Sequence, residues 1–382
     1  MDFIYLDHAA TTPLRPEVRE AMAPYLDEAF GNPSSAHRWG RQAAAALEGA
    51  RASVAATLGA RPPEVHFTRG GTESDNLAIF GRARLPRPGG GRPSIVHSAV
   101  EHHAVLEAAR WEEALGVRRR VLAVDPTGRL DLDALDQALE DLPAVVSVMW
   151  VNNEVGMVLP VPEVAERCQA RGVPLHTDAV QAVGKVPVRV DDVPVALLTV
   201  TGHKIYGPKS TGVLFVREGT ELAPLLHGGG QERGVRPGTQ DVAGAVGLAE
   251  ALALAVAERE SEAARLGGLR DGLEAALRAR LPSLVVHGGG APRAPHVVNV
   301  GIPGIDGAAL VAALDLDGVA VSGGSACASG ATTASHVLEA LFGPAVGTRA
   351  ALRFSLGRGT LPEHVERAVE ATVRAVERMS PA

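Results

Sequence analysis

The stretch "SIVHSAVEHHAVLEAARWEEALGVRRRVLAV", Ser94 to Val124, decides the fold. An aliphatic run ending near Ser98 gives way to apolar residues at helical spacing, then Gly116, then a second aliphatic run. Strand, helix and strand in that order predict a parallel pair, because parallel strands need a crossover of helical length. The alternation continues through "DLDALDQALEDL", "AVVSVMW", "PVPEVAERCQARG", "VPLHTD", "VALLTV" and "TGVLFV", with proline and glycine where elements should begin and end. Residues from about 90 to 217 therefore read as an α/β unit whose mostly parallel sheet is covered by helices on both faces. Downstream, the alanine-rich run "DVAGAVGLAEALALAVAERESEAARLGGLRDGLEAALRARL" predicts one or two long helices, with a change of domain inside it. The runs "LVVHGG", "HVVNVGI", "VAVSGG" and "ALRFSLG", with a final helix from Pro362, predict a smaller α+β domain. The expected division is a large domain over 15–258 and a small one from 1–14 and 259–382.

Composition narrows the function classes. The chain has 382 residues, 46% of them hydrophobic, enough for a large core, and a formal net charge of −7 without a long basic block. Nucleic acid and membrane surfaces are therefore not expected as partners. The start "MDFIYLDHAATTP" has neither the basic nor the apolar region of a leader, and no apolar run reaches membrane length, so a cytoplasmic enzyme is expected. The only two cysteines, Cys168 and Cys327, make neither a disulfide framework nor a multi-cysteine metal site. Cys168 follows Val164 by four residues in a helical stretch and is expected to be buried. Lys185, Lys204 and Lys209 are the only lysines, so lysine chemistry has three candidates.

Ligands of open α/β sheets sit beyond the carboxyl ends of strands, which directs attention to polar residues ending aliphatic runs. "VPLHTD" ends in Asp178, with Gln181 beyond, and "VALLTV" is followed by Thr201, Gly202, His203 and Lys204. A partly desolvated lysine suits Schiff-base chemistry, and a facing acid suits the ring nitrogen of a pyridoxal cofactor. Lys185 and Lys209 read instead as solvated turn lysines. "FTRGGTESDNLAIFGRAR" joins a strand to a helix through Gly70, Gly71 and Thr72, leaving amide groups where a phosphate can sit. "GPKST" and "GGGQERG" lack the spacing of the common nucleotide loops. His102 and His103 open a helix, and their adjacency sends them to different sides, so one imidazole is expected inward. "VNNEVG" sets amides at another strand end, and "ALRFSLG" carries Arg353, whose fork suits an α-carboxylate.

Together these stretches resemble the pyridoxal-phosphate-dependent cysteine desulfurases of the class V aminotransferase family. The resemblance runs from "YLDHAATTPLRPEV" through "GNPSSAHRWG", "EHHAV", "HTDAVQAVGK", "TGHKIYGPKSTG", "HGGGQERGVRPGT" and "SGGSACASG" to "RFSLGR". It implies the fold type I of pyridoxal-phosphate-dependent transferases. By motif it makes Lys204 the Schiff-base lysine, Asp178 the partner of the pyridine nitrogen, and Gln181 and Asn153 neighbours of the ring's phenolate oxygen. Gly71, Thr72, Thr201 and His203 would hold the phosphate, with Thr239 supplied by the other subunit of a homodimer. His102 would stack on the ring and act as acid/base, Arg353 with Asn153 would bind the substrate, and Cys327, on a mobile loop at about 321–336, would be the nucleophile.

The activity so implied takes sulfur from L-cysteine, yields L-alanine and leaves a persulfide on Cys327 for a protein acceptor serving iron–sulfur assembly or tRNA thiolation. A selenocysteine lyase or another fold-type-I aminotransferase is the rival enzyme reading, and a degenerate pyridoxal protein the non-enzymatic one. Three positions depart from the family pattern. Thr201 stands where serine is usual and keeps the hydroxyl; His8 replaces asparagine or tyrosine without an assignable consequence. The end "VERMSPA" lacks the tail with which some relatives dock a scaffold, which leaves the acceptor open.

Overall fold

The computed structural model describes residues 3–86, 92–323, 335–344 and 349–380. Its main sheet has seven strands, in the order Val65–Thr68, Gly212–Val216, Leu197–Thr201, Leu175–Asp178, Val145–Ser147, Ser94–Ser98 and Arg118–Leu122. The five from Leu197–Thr201 to Arg118–Leu122 are parallel, as the strand–helix alternation predicts. Every residue of Ser94–Ser98 and Leu197–Thr201 is buried, which is why these strands read as continuous apolar runs. The edge strand Arg118–Leu122 instead turns arginines to solvent, which discourages pairing with another chain.

One strand opposes the rest. Gly212–Val216 is antiparallel to both neighbours. Only residues 202–211 link it to the preceding strand, and in that link Tyr206 and Ser210 take φ values of 64° and 57° that turn the chain back. So short a connection has no room for a crossover helix. Val65–Thr68, paired to the far side of Gly212–Val216, consequently points the same way as Leu197–Thr201.

A second sheet runs Ser322–Gly323, Arg349–Ser355, Val297–Pro303, Val285–His287, all antiparallel. The "VAVSGG" run divides between two pairings: Val319–Ala320 lies parallel to Ile4–Tyr5, whereas Ser322–Gly323 joins the antiparallel sheet. Ile4 and Leu6 share an apolar core with Leu273, Leu277, Val300, Leu310 and Phe354, separate from the core under the main sheet. The alanine-rich run is two helices, Val242–Ala257 and Arg259–Arg280. The first buries Leu248 and Leu252 in the main core. The second buries only Leu266, Leu273 and Leu277 and packs on Pro362–Met379. At their junction Glu258 receives both terminal nitrogens of Arg15, at 2.9 and 2.7 Å. Among the described residues no helix is long and apolar enough to cross a membrane.

Candidate active site

Because Val65–Thr68, Ser94–Ser98, Val145–Ser147, Leu175–Asp178 and Leu197–Thr201 point one way, the segments leaving them gather along one sheet edge. A cleft of about 920 Å³ lies there. Gly71, Thr72, His102, Asn153, Asp178, Gln181, Thr201, His203, Lys204 and Arg353 all line it. Thr239 does not; it is exposed in the loop preceding helix Val242–Ala257. Cys327 lies outside the described residues. The described flanks of its loop are Ser322–Gly323, paired with Arg353 and Leu352, and Ser335, whose hydroxyl donates to Glu154.

Lys204 ends the short 3-10 turn Gly202–Lys204 that follows its strand. Its Nζ donates to the carbonyls of Ala9 and Ala10, at 2.7 and 2.6 Å. Gln181 Nε2 shares the Ala9 carbonyl at 2.9 Å, and its Oε1 meets His296 Nε2 at 3.2 Å. Asp178 is 5% exposed. Burial, reinforced by Asp75, pushes its carboxyl up to about 7, against the pull of the Val180 amide at 2.8 Å. Such a group, only weakly offset by Lys204, suits a closer cation, which a protonated ring nitrogen would provide. His176, two residues earlier in the same strand, is held down at about 4 by burial.

His102 caps helix His103–Ala114, its Nδ1 accepting the Ala104 amide at 3.1 Å. Burial, then the Lys204 charge, lowers it to about 4, so it stands neutral in the cleft. His103 turns to the other side, 4.6 Å from the His336 ring. At the opposite end Gly70, with φ 129°, provides no side-chain cap for helix Gly71–Ala83. A Cβ on Gly71 would come 3.2 Å from Val180, so the backbone sits close to the cleft wall. Helix amides, glycine and a neutral His203, lowered to about 4 by burial and then Lys204, form a cradle suited to a phosphate. Thr201 Oγ1 donates to the Thr211 carbonyl at 2.8 Å and must rotate to donate elsewhere.

Arg353 is 1% exposed. Its Nη2 meets Asp7 Oδ1 at 2.7 Å and its Nη1 the Asn153 carbonyl at 3.0 Å, while Nε has no partner among the described residues. The Asn153 turn is built by Asn152, whose Oδ1 accepts the Glu154 and Val155 amides at 2.9 and 3.0 Å.

The class-V aminotransferase family model matches residues 4–368. The chain belongs to this family. It is 43% identical over 376 residues to the cysteine desulfurase IscS of Dictyoglomus turgidum, spanning 98% of this chain and 95% of that one. A solved NifS-like protein superposes with a TM-score of 0.90 at 33% identity, covering 98% of this chain and all of the other. A structure titled "SspA in complex with cysteine" gives 0.79 at 33% identity, over 92% of this chain and 98% of that. The protein thus stands among the cysteine desulfurases, sulfurtransferase enzymes of a family that works with pyridoxal phosphate.

For this desulfurase, one reading of the sequence needs correction. Lys185 is not a solvated turn lysine: its Nζ donates to the Lys204 carbonyl at 3.1 Å, and burial, then Lys204, lowers it to about 7. The fold packs Lys185 behind the active-site turn, where water cannot reach all of its head group. Cys168 is buried at 1% exposure, and burial raises its thiol to about 12, which makes it inert. Sequence reasoning missed Asp75, Asp7 and the carbonyls of Ala9 and Ala10. Asp75 had a signal, lying one helical turn after Gly71 on the same face; backbone carbonyls have none.

Proposed function

We propose that this chain removes sulfur from L-cysteine with pyridoxal phosphate bound in the cleft, leaving L-alanine and a persulfide on Cys327. The observation that carries the reading is one cleft lined by an amine, a buried acid, a neutral imidazole and a guanidinium, with one described flank of the Cys327 loop paired to Arg353 and the other bonded to Glu154, next to Asn153. The residues present fit the cofactor: Asp178 for the ring nitrogen, Gln181 for the ring oxygen, and Gly71, Thr72, Thr201 and His203 for the phosphate. When bound, the cofactor supplies an electron sink that makes the substrate Cα proton removable. Arg353, fixed by Asp7 and Asn153, orients the substrate carboxylate. Lys204, 2.6–2.7 Å from two carbonyls, is the amine that takes and returns the proton at Cα. His102, neutral, is able to accept a proton from the substrate thiol or return one. Cys327, as thiolate, attacks the substrate sulfur; the S–S bond forms as the C–S bond breaks, and the carbon fragment keeps the electron pair.

The chain is proposed to work as a homodimer, with Thr239 offered to the phosphate of the partner, and to pass its sulfur to a protein acceptor. The test incubates the cofactor-loaded enzyme with L-cysteine, follows alanine and sulfide, and looks by mass spectrometry for a sulfur adduct on Cys327. Cys327→Ser should abolish the adduct and sulfur release, whereas full cysteine turnover by that variant would sink the mechanism.

A further inference from the structure

The floor of the cleft holds a second carboxyl that the mechanism leaves unused. Asp75, in helix Gly71–Ala83, has no solvent exposure, and among the described residues neither of its oxygens has a hydrogen bond of good geometry, the Thr199 hydroxyl being the polar group beside it. One oxygen of Asp75, one of Asp178 and a ring nitrogen of His102 lie within 4.8 Å of one another. Asp75 Oδ1 is also 3.5 Å from His176 Nε2. Two carboxylates so close in a dry site cannot both ionise cheaply, and they share one proton.

The surroundings decide where that proton rests. Asp178 accepts the Val180 amide at 2.8 Å and feels Lys204, both of which favour its ionised form. Asp75 has only the Thr199 hydroxyl beside it to favour ionisation, and burial outweighs that, raising it to about 7. His176 cannot serve as its cation, because its nitrogens are committed to Ser147 Oγ at 2.9 Å and Thr199 Oγ1 at 3.1 Å and burial keeps it neutral. His102 is neutral for the same reason. Glu101, behind His176, is itself raised to about 7 by burial and adds no fixed charge at low pH.

We propose that Asp75 is a positioning residue that retains the proton of the Asp75–Asp178 pair, so that Asp178 meets the cofactor ring as the only anion on the cleft floor. This rests on the role of Asp178 proposed above. Ionisation of Asp75 at alkaline pH then places a second negative charge beside the ring and alters the titration of the bound cofactor.

The test compares wild type, Asp75→Asn, Asp75→Ser and Asp178→Asn as purified, cofactor-loaded proteins, reading the visible cofactor band from pH 6 to 9 and the rate of cofactor loss on dilution. Asparagine has the shape and neutrality of a protonated aspartic acid. D75N should lose cofactor at pH 7 within about twofold of the wild-type rate, yet titrate in one step where wild type shows an additional ionisation; D75S should share that single step. A second readout needs no cofactor. A raised carboxyl contributes its full stability below the unfolded pKa of 3.8 and loses it as pH rises towards about 7. The urea midpoint of cofactor-free D75N, relative to wild type, should therefore be higher at pH 8 than at pH 5. Identical band titrations in D75N and wild type, or cofactor loss more than tenfold faster in D75N at pH 7, would overturn the proposal. An Asp178→Asn variant with wild-type spectrum and retention would instead overturn the cofactor reading beneath it.

Discussion

Replacing Arg353 by lysine keeps a positive charge but removes the fork, which makes it a sharp probe of substrate binding. A guanidinium has five N–H donors. Two are committed, to Asp7 Oδ1 and the Asn153 carbonyl, and among the described residues Nε lacks a partner, so donors remain for a carboxylate. Lysine at this position would satisfy Asp7 and have at most one strong donor left for the substrate. A hydrogen bond to a charged group is worth about 1.5–3 kcal/mol. Loss of one of two such bonds predicts a fall in kcat/KM for L-cysteine of about tenfold to a hundredfold, carried by KM. The cofactor band should not change, since no proposed cofactor contact involves Arg353. Initial rates of alanine formation across a range of cysteine concentrations give both parameters. A folded, cofactor-retaining R353K with kcat/KM within twofold of wild type would refute the placement of the substrate carboxylate at Arg353.

Two further predictions concern stability. A Cβ at Gly357 would lie 2.4 Å from the His8 ring, which stands edge-on to Tyr5 at 4.9 Å, so Gly357→Ala should cost about 1–3 kcal/mol by overpacking. His8→Ala in the same chain should recover much of that loss, and additive losses in the double-mutant cycle would show that the two residues do not conflict. His97 is 1% exposed and burial holds it at about 4, so its contribution is complete above its unfolded value of 6.5 and is lost as pH falls towards 4. His97→Gln should therefore gain roughly 2–3 kcal/mol on wild type between pH 7 and 4.5, measured by urea unfolding; parallel curves for the two proteins would contradict the shift.

Much of the site was legible because sheet geometry turns local sequence into position. An aliphatic run ending in Asp178, and another leading to Lys204, already place both groups at one edge if their strands are parallel, and they are. That one of His102 and His103 would turn inward was legible because consecutive helical residues diverge; that it is His102 came from the family resemblance. The sequence reading did not set the antiparallel strand Gly212–Val216 apart from the parallel run; the shortness of the link before it was the signal available. Asp75 escaped notice because an acid on a helix ordinarily lies on its solvated face. Its burial depends on Asp178 and His176, a hundred residues away in sequence. Asp7 with Arg353, and His8 with Gly357, are pairings between opposite ends of the chain, for which no local pattern exists.

The segment from Ile4 to Thr12 joins the parts of this enzyme that are made furthest apart in time. Ile4 and Tyr5 pair with Val319 and Ala320, Asp7 holds Arg353, Ala9 and Ala10 receive Lys204, and Thr12 meets the His203 carbonyl. At roughly 5–20 residues per second, tens of seconds of synthesis separate the first of these residues from Arg353. During that interval the main sheet can assemble around Lys204 and Asp178, while Arg353, the proposed anchor of the substrate carboxylate, does not yet exist. On the proposed roles, a ribosome-bound chain forms the cofactor pocket before it is able to hold cysteine, so that sulfur chemistry begins only after Arg353 has been made.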